Sequence, residues 1–412
     1  MFKAYDVRGT VGCDFTTQDF ANLGTALALW LKNKNINTLC LGNDTRPSAP
    51  MLTQALISGL LSENIYIILQ QQITTPMLVW SMRDLNEKAC AMITASHNPW
   101  EDNGLKIYLN KEHVHPVCDE ELLQIKSYMH ANHIIDANPH FNQHHPNITH
   151  IDLADKYIQS LPLNNNTDIL WDASFGGASR IVQKLGKHIN TNLDNFFLLK
   201  KGPNPAYNTF LPDHPLILSL DGDGDRLQVT YKGHTITAEE VALTFEADKI
   251  IHDPHITQAY RSNLSSETEL YQARVGHSNI QKMMIQHKAD LGFEASGHFF
   301  FKSRDYMDDA IYAGLKFVEN IDKYKPIIGH ISPIYRIPTA APELLMNQML
   351  QIGENDQANI CLFDGVKLTY HYGWILARKS NTENCLSVMF EAIDASHFAL
   401  INKKFSFLFY KN

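Results

Sequence analysis

Helix-type and strand-type hydrophobic patterns alternate through the first 110 residues, and this alternation constrains the fold of the chain. Apolar residues recur at helical spacing between Phe20 and Leu31, after a Thr16–Asp19 pair that resembles a capping box. Further helices are predicted at 50–61 and from Pro76, with strands at 38–41, 65–69 and 91–94. Strands that alternate with helices in this way predict a parallel or mixed sheet with helices on its faces.

The rest of the chain predicts further units of secondary structure. A polar stretch at 130–150 has no periodicity and is predicted to be a linker or surface loop. The predicted elements after it are strands at 168–172, 196–199, 216–220 and 290–294, and helices at 177–188, 238–248, 278–288 and 309–324. The last unit combines helices near 343–351 and 395–403 with three or four strands between 359 and 391. We therefore expect three successive α/β domains with mixed sheets and a C-terminal α+β domain.

Composition and charge exclude several classes of protein. The chain carries 35 Lys and Arg against 44 Asp and Glu, a formal net charge of −9, which argues against a nucleic-acid binder that covers phosphates with basic residues. No apolar run approaches the ~18 residues of a membrane span, and the first residues contain no secretory signal pattern. The six cysteines are scattered and form no CxxC pair, which is typical of a reducing cytosol. We expect a cytoplasmic protein without a membrane or nucleic-acid partner.

The sequence DGDGDR at 221–226 places three carboxylates directly after the apolar run at 216–220. Carboxylates this close together repel one another unless a cation neutralises them. The intervening glycines allow the chain to curl, so that Asp221, Asp223 and Asp225 point at one ion, and an all-oxygen ligand set favours Mg²⁺ over zinc. An EF-hand is excluded because it needs glycine and glutamate later in its loop, where this chain has arginine and lysine. A solvated acidic turn remains the alternative.

Ser96 lies in the sequence TASHNP at 94–99, directly after a predicted strand and beside His97. A serine at a strand end, surrounded by hydrogen-bond donors, can act as a nucleophile or carry a phosphoryl group. The GxSxG pattern of hydrolases is absent. An ordinary polar loop remains the alternative.

Two later loops carry polar side chains suited to sugars and phosphates. Glu294, Ser296 and His298 alternate, so in an extended strand they would face one side and could bind a hydroxyl-rich ligand. The sequence RKSNT at 378–382 places a guanidinium, hydroxyls and an amide in one turn, which is what binding a dianionic phosphate requires. A polar turn and a capped surface turn are the respective alternatives.

Together the four loops resemble those of the α-D-phosphohexomutase superfamily, and specifically its bacterial phosphomannomutase/phosphoglucomutase branch. The resemblance covers nearly the whole chain, in the family's order. Its motifs are AYDVRG (4–9), NDTRPS (43–48), TTP (74–76), TASHNP (94–99), DGDGDR (221–226), GHS (276–278), EASGHFFFK (294–302), DGVKLTYHYGW (364–374) and RKSNTE (378–383). It implies four domains around a central cleft, at 1–140, 141–236, 237–327 and 328–412, with one loop from each.

The resemblance also implies roles for individual residues. Ser96 is expected to carry the transferred phosphoryl group and, through its phosphate, to complete the Mg²⁺ ligand set of Asp221, Asp223 and Asp225. The remaining expected site residues are the basic residues Arg8, Lys106 and Arg226 near the phosphoserine, with His97, the sugar-binding Glu294, Ser296 and His298, and the phosphate-binding Arg378, Ser380, Asn381 and Thr382. Lys106 and His97 are the candidates for proton transfer, with Lys106 preferred.

The activity that the resemblance implies is that of an isomerase. Such an enzyme interconverts hexose 6-phosphate and hexose 1-phosphate, of mannose, glucose or both, through a phosphoserine and a hexose 1,6-bisphosphate that also serves as activator. The expected partner is a small-molecule sugar phosphate, and the expected assembly is a monomer or a weak homo-oligomer.

The chain also departs from the family. The segments at 200–216 and 251–276 are shorter than usual, and the family's substrate-contacting lysine has no clear match; Arg261 and Arg274 are the candidates for its place. Two other functions therefore stay open. One is a Mg²⁺-dependent phosphatase that uses the three aspartates, and the other is a degenerate mutase that binds sugar phosphates without turnover.

Overall fold

The structure is a computed structural model that describes residues 1–3, 5–131, 145–162, 168–185, 188–190, 213–380 and 385–409. The chain groups into two compact units. The first unit contains residues 1–237 and 296–321, and the second contains residues 238–295 and 322–412. Among the described residues, no helix has the length and apolarity that crossing a membrane requires. The strand predicted at 196–199 lies outside the described residues.

The first sheet has seven strands and confirms the predicted alternation of strands and helices. Its strands are β1 (Val7–Thr10), β2 (Thr38–Asn43), β3 (Tyr66–Gln71), β4 (Ala89–Ile93), β5 (Asp102–Asn110), β6 (Val114–Pro116) and β7 (Ile148–His150). The order is β1-β5-β4-β2-β3-β7, with β6 beside β5. The sheet is mixed, as expected, because β2 pairs in parallel with β3 and β4, whereas β5 is antiparallel to β1 and β4.

Four helices accompany the first sheet: α1 (Thr17–Asn33), α2 (Ala49–Ser62), α3 (Thr75–Asp84) and α4 (Asp119–Ala131). The predicted capping box is present, because the Asp19 N–H donates to Thr16 Oγ1 at 3.2 Å and the Thr16 N–H donates to Asp19 Oδ2 at 2.7 Å. The apolar faces of α1 and α2 and the buried residues of β2, β3 and β4 form one continuous core.

Two expectations for the first unit are wrong. Residues 148–150 were predicted to lie in a loop but form β7, which extends the first sheet by pairing with β3 at Ile67↔Ile148. A three-residue edge strand is too short to show a period in the sequence, and its pairing is decided by the neighbouring strand. The helix predicted at 177–188 is described over Ser179–Leu185, and residues 188–190, the last of which were expected to follow it, form another strand.

The second sheet has the order β12-β11-β10-β8-β9. Its strands are β8 (Leu170–Asp172), β9 (His188–Asn190), β10 (Leu216–Leu220), β11 (Leu227–Tyr231) and β12 (His234–Ile236), and its helices are α5 (Ala154–Gln159) and α6 (Ser179–Leu185). β10 is central and buried along its whole length, with β8 parallel on one side and β11 antiparallel on the other. Apolar burial on both faces explains why the sequence of β10 shows no alternation.

The second unit begins with three parallel strands, β13 (Lys249–His252), β14 (Glu269–Gln272) and β15 (Leu291–Phe293). Helix α7 (Ala238–Ala242) precedes these strands, and helices α8 (Gln258–Asn263) and α9 (His277–His287) lie between them. The helix predicted at 238–248 is therefore much shorter than expected. β15 ends one residue before Glu294, which lies in the turn that follows.

The chain then returns to the first unit for a hairpin of β16 (Phe299–Phe301) and β17 (Met307–Asp308) and for helix α10 (Ala310–Glu319). α10 packs on the second sheet, so that a Cβ built at Gly314 would lie 3.0 Å from Leu218. The helix predicted at 309–324 ends at Glu319 and is followed by a short 3-10 turn at Ile321–Lys323.

The last part of the second unit is an antiparallel sheet, which confirms the predicted α+β class. Its strands are β18 (His330–Ile331), β19 (Tyr335–Pro338), β20 (Asn359–Cys361), β21 (Val366–Tyr370), β22 (Gly373–Lys379) and β23 (Cys385–Ala392), with helices α11 (Pro342–Asn355) and α12 (Ala395–Lys404). The order is β18-β23-β22-β21-β20, and β19 also pairs with β23. We keep the four domain boundaries expected from the sequence as a proposal.

Candidate active site

Ser96 follows β4 and is 2% exposed. Its φ of +51° is a left-handed conformation that a residue with a side chain adopts only when its surroundings hold it there. The Ser96 N–H donates to Thr94 Oγ1 at 2.9 Å, and Thr94 Oγ1 in turn donates to Asp44 Oδ2 at 2.7 Å. The loop therefore presents one serine in a strained and firmly held position.

The buried side chain of Arg46 forms hydrogen bonds with the backbone of the same loop. Its guanidinium donates to four backbone carbonyls, those of Ser96, Asn98, Pro99 and Asp102, at 2.5–2.8 Å. Its Nε also lies 3.2 Å from Asp44 Oδ2. A planar guanidinium with several donors suits this role, and a lysine could not make the same set of contacts.

The three aspartates of DGDGDR follow β10 and lie within the first unit beside this loop. Asp221, Asp223 and Asp225 are all buried, and each offers a carboxylate oxygen within 4.8 Å of the others. Gly224 adopts a φ of +71°, and a Cβ there would lie 2.6 Å from the Thr74 side chain. The predicted curl of the loop is therefore present, and it depends on glycine at this position.

Thr75 holds the aspartate loop in place. Its N–H donates to the carbonyl of Asp223 at 2.9 Å, and its Oγ1 donates to Asp223 Oδ2 at 2.6 Å. Thr75 belongs to the first turn of α3, and Thr74 caps that helix through the Met77 N–H. The TTP motif thus positions the aspartate loop.

Burial and mutual repulsion act together on the three carboxylates. Burial, reinforced by the charges of Asp225 and Asp223, raises the pKa of Asp221 to about 8. Asp223 Oδ1 and Asp225 Oδ1 are buried and form no hydrogen bond with any described residue. A hard divalent cation would bind these oxygens and remove the repulsion, so the donor set fits Mg²⁺.

Ser96 and the aspartate loop are in direct contact, because Ser96 Oγ donates to Asp221 Oδ2 at 2.7 Å. The ring of His97 lies on the same side, with Nδ1 3.3 Å from Ser96 Oγ. The structure therefore brings together a serine hydroxyl, an imidazole and a cluster of carboxylates, three groups that the sequence could only identify separately.

Lys106 extends from β5 into the same cluster. Its ammonium lies 2.7 Å from Asp223 Oδ2 and 2.5 Å from Asp225 Oδ2. Burial opposes its charge, but the two carboxylates outweigh burial and raise the pKa of Lys106 well above its usual value. Burial acts to raise the pKa of Asp225, but the charge of Lys106 opposes burial, and the pKa of Asp225 lies far below its usual value. In this state the amine holds its proton.

The two predicted arginines of the first unit have different partners. Arg8 is buried and donates to Asn98 Oδ1 at 2.9 Å, to the Ala95 carbonyl at 3.1 Å and to Asp6 Oδ2 at 2.7 Å. Arg226 donates through Nε to His298 Nε2 at 2.9 Å. Arg8 therefore lies next to the serine loop, and Arg226 directly follows the three aspartates in the chain.

His298 does not lie in an extended row with Glu294 and Ser296, so that expectation is wrong. Residues 294–298 include a turn in which Gly297 has a φ of +92°, so they do not form an extended strand. His298 is buried, with Nδ1 2.7 Å from Asp308 Oδ2 and Nε2 accepting from Arg226. Ser296 is exposed in the same unit, whereas Glu294 belongs to the second unit.

In the second unit, Glu294 and Arg378 are both buried. Glu294 Oε1 accepts the Gly276 N–H at 2.6 Å. Arg378 Nε lies 3.4 Å from Asp364 Oδ2, and the same oxygen accepts the Val275 N–H at 2.8 Å. A single backbone segment, Val275–Gly276, thus contacts both Glu294 and the partner of Arg378.

Ser380 follows Arg378 at the end of β22, while Asn381 and Thr382 lie outside the described residues. Sequence reasoning gave no role to Arg46 or Thr75. The motifs NDTRPS and TTP that contain them were visible, but nothing in the letters shows which carbonyl or carboxylate they contact.

Models of protein families match the chain in two places. Residues 1–132 match alpha/beta/alpha domain I of phosphoglucomutase/phosphomannomutase, and residues 233–333 match domain III. A phosphoglucosamine mutase from Fusobacterium nucleatum is 30% identical over 446 residues, which cover 95% of this chain and 95% of that protein. A phosphomannomutase/phosphoglucomutase from Pseudomonas putida is 25% identical over 433 residues, which cover 95% and 91%.

Solved structures show the same fold. A phosphoglucomutase/phosphomannomutase family protein from Burkholderia thailandensis matches with a TM-score of 0.81 and 23% identity, covering 98% of this chain and 96% of that one. The N-acetylphosphoglucosamine mutase of Aspergillus fumigatus, solved with GlcNAc-6P and magnesium, matches with a TM-score of 0.63 and 13% identity, covering 99% and 95%.

Proposed function

Because this chain belongs to the phosphoglucomutase/phosphomannomutase family, we propose that it is a phosphohexomutase that interconverts hexose 1-phosphate and hexose 6-phosphate through phospho-Ser96. The observation that carries the proposal is the contact between Ser96 Oγ and Asp221 Oδ2 at 2.7 Å. A buried serine hydroxyl that donates to one carboxylate of a cluster able to hold a cation is suitably placed for a phosphoryl carrier.

Mg²⁺ is the cofactor we propose for the three aspartates. The donor set is oxygen alone, two of its carboxylate oxygens have no described hydrogen-bond partner, and the A. fumigatus structure was solved with magnesium. When bound, Mg²⁺ would offset the charge of the aspartates and of the phosphoryl oxygens. The same ion would offset the charges of Asp225 and Asp223, which add to burial in raising the pKa of Asp221.

The reaction has two transfers of opposite direction. In the first, the bond between phosphorus and Ser96 Oγ breaks while phosphorus bonds to the free hydroxyl oxygen of a hexose monophosphate. The hydroxyl gives up one proton and the departing Ser96 Oγ gains one, with Lys106 and His97 as the candidates for this transfer. In the second, the other phosphate of the resulting hexose 1,6-bisphosphate returns to Ser96 Oγ. The same bisphosphate phosphorylates an unmodified enzyme, so it also acts as activator.

Positive charge near Ser96 stabilises the transferring group. A phosphoserine carries about −1.5 to −2 charges, and Arg8, Lys106 and Arg226 are the nearby cations that we assign to it. Lys106, which is held protonated, can give a proton to the departing serine oxygen. His97 is the second candidate for proton transfer because of its distance to Ser96 Oγ.

In the second unit we assign sugar hydroxyls to Glu294 and the non-reacting phosphate to Arg378, Ser380, Asn381 and Thr382. Ser296 is the further sugar-binding candidate. His298 has a partner on each ring nitrogen, so we propose that it orients Arg226 in addition to any contact with the sugar. We also propose a cytoplasmic location and a monomer or weak homo-oligomer.

The choice of sugar is open among three hexoses. The resemblance favours mannose and glucose, whereas the 30% identity to a phosphoglucosamine mutase favours glucosamine. The purified protein should therefore be assayed with the 1-phosphates of all three sugars, with Mg²⁺ and the matching 1,6-bisphosphate, while intact mass reports phosphate on Ser96. Turnover of at least one sugar is expected. Phosphorylated Ser96 without turnover would favour the degenerate binder, and hydrolysis without isomerisation would favour the phosphatase.

A further inference from the structure

The turn after β13 and the turn after β15 leave the same edge of a parallel sheet in the second unit. His252 is paired with Phe293 across these two strands, so residues 253–255 and Glu294 start from neighbouring positions. In parallel sheets, ligands bind where the carboxyl ends of neighbouring strands release their loops. The turn at 253–255 is therefore placed beside the residue to which we assign the sugar hydroxyls.

The carboxylate of Asp253 accepts hydrogen bonds from both turns. Its Oδ2 accepts the Ala295 N–H at 3.0 Å, and its Oδ1 accepts the His255 N–H at 2.9 Å. Burial raises the pKa of Asp253, but His255 and these N–H groups outweigh burial and lower it to about 2. The carboxylate is thus a fixed, ionised link that holds His255 beside the turn of Glu294.

The imidazole of His255 is buried, but its ring nitrogens lack hydrogen bonds to the described residues. The residue is 6% exposed, and neither ring nitrogen forms a hydrogen bond with any residue that the structure describes. Nδ1 lies 3.2 Å from Asp253 Oδ1 but does not have hydrogen-bond geometry to it. A buried donor or acceptor without a partner destabilises the fold by about 1–3 kcal/mol, so a ligand that supplies the partner would be favoured.

The two arginines suggested by the sequence have partners elsewhere in the second unit. An Arg261 NH2 lies 3.4 Å from His252 Nε2, and Arg274 Nε donates to the Phe363 carbonyl at 3.2 Å. Neither of these two contacts involves Asp253 or the turn after β15. His255 is therefore the better-placed polar group.

We propose that the His255 imidazole binds substrate, donating a hydrogen bond from its ring to an oxygen of the hexose phosphate. This inference rests on the proposed function for the identity of the ligand. Glu294 supplies an acceptor and His255 a donor from neighbouring turns, which is the pair that an oxygen-rich sugar phosphate requires. Asp253 then has a second role, because it holds the imidazole ring in place for the ligand.

The test measures binding separately from turnover. Glucose, mannose and glucosamine 6-phosphates are titrated by calorimetry into the Ser96→Ala protein, which cannot turn over. Adding His255→Phe, which keeps an aromatic ring but removes both nitrogens, should weaken binding of the sugar that binds best by ~10-fold. His255→Gln, which keeps an N–H donor, should recover part of the loss. His287→Gln is the matched control, because that ring stacks on Tyr271 at 3.9 Å in the same unit.

A second measurement needs no substitution of His255, so it does not depend on whether a variant folds. In protein labelled with ¹⁵N-histidine, the ring resonances of His255 should shift when the sugar phosphate is added, while those of His287 should stay. Unchanged affinity in His255→Phe, or His255 resonances that do not move at saturation, would overturn the proposal, and so would the absence of binding by all three sugars. Wild-type protein that binds through His255 but shows no turnover would refute the proposed activity and leave this inference standing.

Discussion

The hydroxyl of Ser96 donates to a carboxylate oxygen of Asp221 at 2.7 Å, although the two residues are 125 positions apart in the chain. Ser96 follows a strand of the first sheet, and Asp221 follows a strand of the second. Their contact places the proposed phosphoryl carrier at the proposed cation site, and several consequences of that arrangement can be measured.

Replacing Ser96 with alanine should lower mutase turnover by at least ~10³-fold, because no other hydroxyl occupies this position. The variant should also fail to acquire the mass of one phosphoryl group when hexose 1,6-bisphosphate is added. Ser174→Ala, at another left-handed serine of the first unit, is the control and should keep both properties. Normal turnover by the Ser96 variant would contradict the proposed mechanism.

Arg46→Met should loosen the serine loop. The change leaves Asp44 buried without its cation and removes the donors of four carbonyls, so we expect a loss of about 3–5 kcal/mol in unfolding free energy. Hydrogen exchange should accelerate at residues 96–102 before other parts of the first sheet. Arg46→Lys should restore the charge but not the exchange protection, and equal protection in both variants would argue against a guanidinium clamp.

Lys106→Met should make the stability of the protein depend more strongly on Mg²⁺. Without the ammonium, the carboxylates of Asp223 and Asp225 face each other uncompensated unless a cation is bound. Thermal unfolding should therefore occur at lower temperature than in the wild type when EDTA is present, with a larger rise on adding Mg²⁺. Lys111→Met, at an exposed lysine in the turn after β5, is the control. The same Mg²⁺ response in Lys106→Met and wild type would argue against a cation at these aspartates.

Arg378→Gln should raise the KM for hexose phosphate by ~10–100-fold with a smaller change in kcat, because a charged hydrogen bond to the non-reacting phosphate is lost. Lys379→Gln is a matched control on the next residue, since Lys379 is exposed and its ammonium contacts the exposed Glu343 at 2.9 Å. Steady-state kinetics of the two variants, side by side, measure the difference. Equal KM values for the two variants would contradict the assignment of Arg378 to the phosphate site.

Glu239 should make the stability of the second unit depend on pH. Its carboxylate accepts from the Thr257 N–H and hydroxyl, and burial raises its pKa from 4.5 to about 7. Between these values the folded chain holds a proton that the unfolded chain has released, so stability falls as the pH rises from about 4.5 to about 7. The difference amounts to about 3 kcal/mol.

Urea unfolding of wild type and Glu239→Gln at pH 5 and pH 8 tests that dependence. The variant cannot ionise, so its stability relative to wild type should increase towards pH 8. Glu267→Gln, at an exposed glutamate of the same unit, should follow the wild type at both pH values. A parallel pH response in wild type and Glu239→Gln would contradict the shifted pKa.

Local patterns in the sequence predicted most of the long elements. The capping box of Thr16 and Asp19 marked the start of α1, and the apolar run before Asp221 marked β10, because both signals depend on residues close together in the chain. The short strands at 148–150 and 188–190 could not be predicted in this way. A strand of three residues exists because a neighbouring strand offers it hydrogen bonds.

The sequence alone also determined the chemistry of the candidate site: a serine among donors, three carboxylates between glycines, and polar loops for sugar and phosphate. The tertiary structure alone decided which of these groups meet. It placed Ser96 against Asp221, Lys106 against Asp223 and Asp225, and His298 against Arg226. The reason is physical: residue types set what a side chain can donate, accept or neutralise, whereas contacts between distant loops depend on strand order and on the turns that aim each side chain.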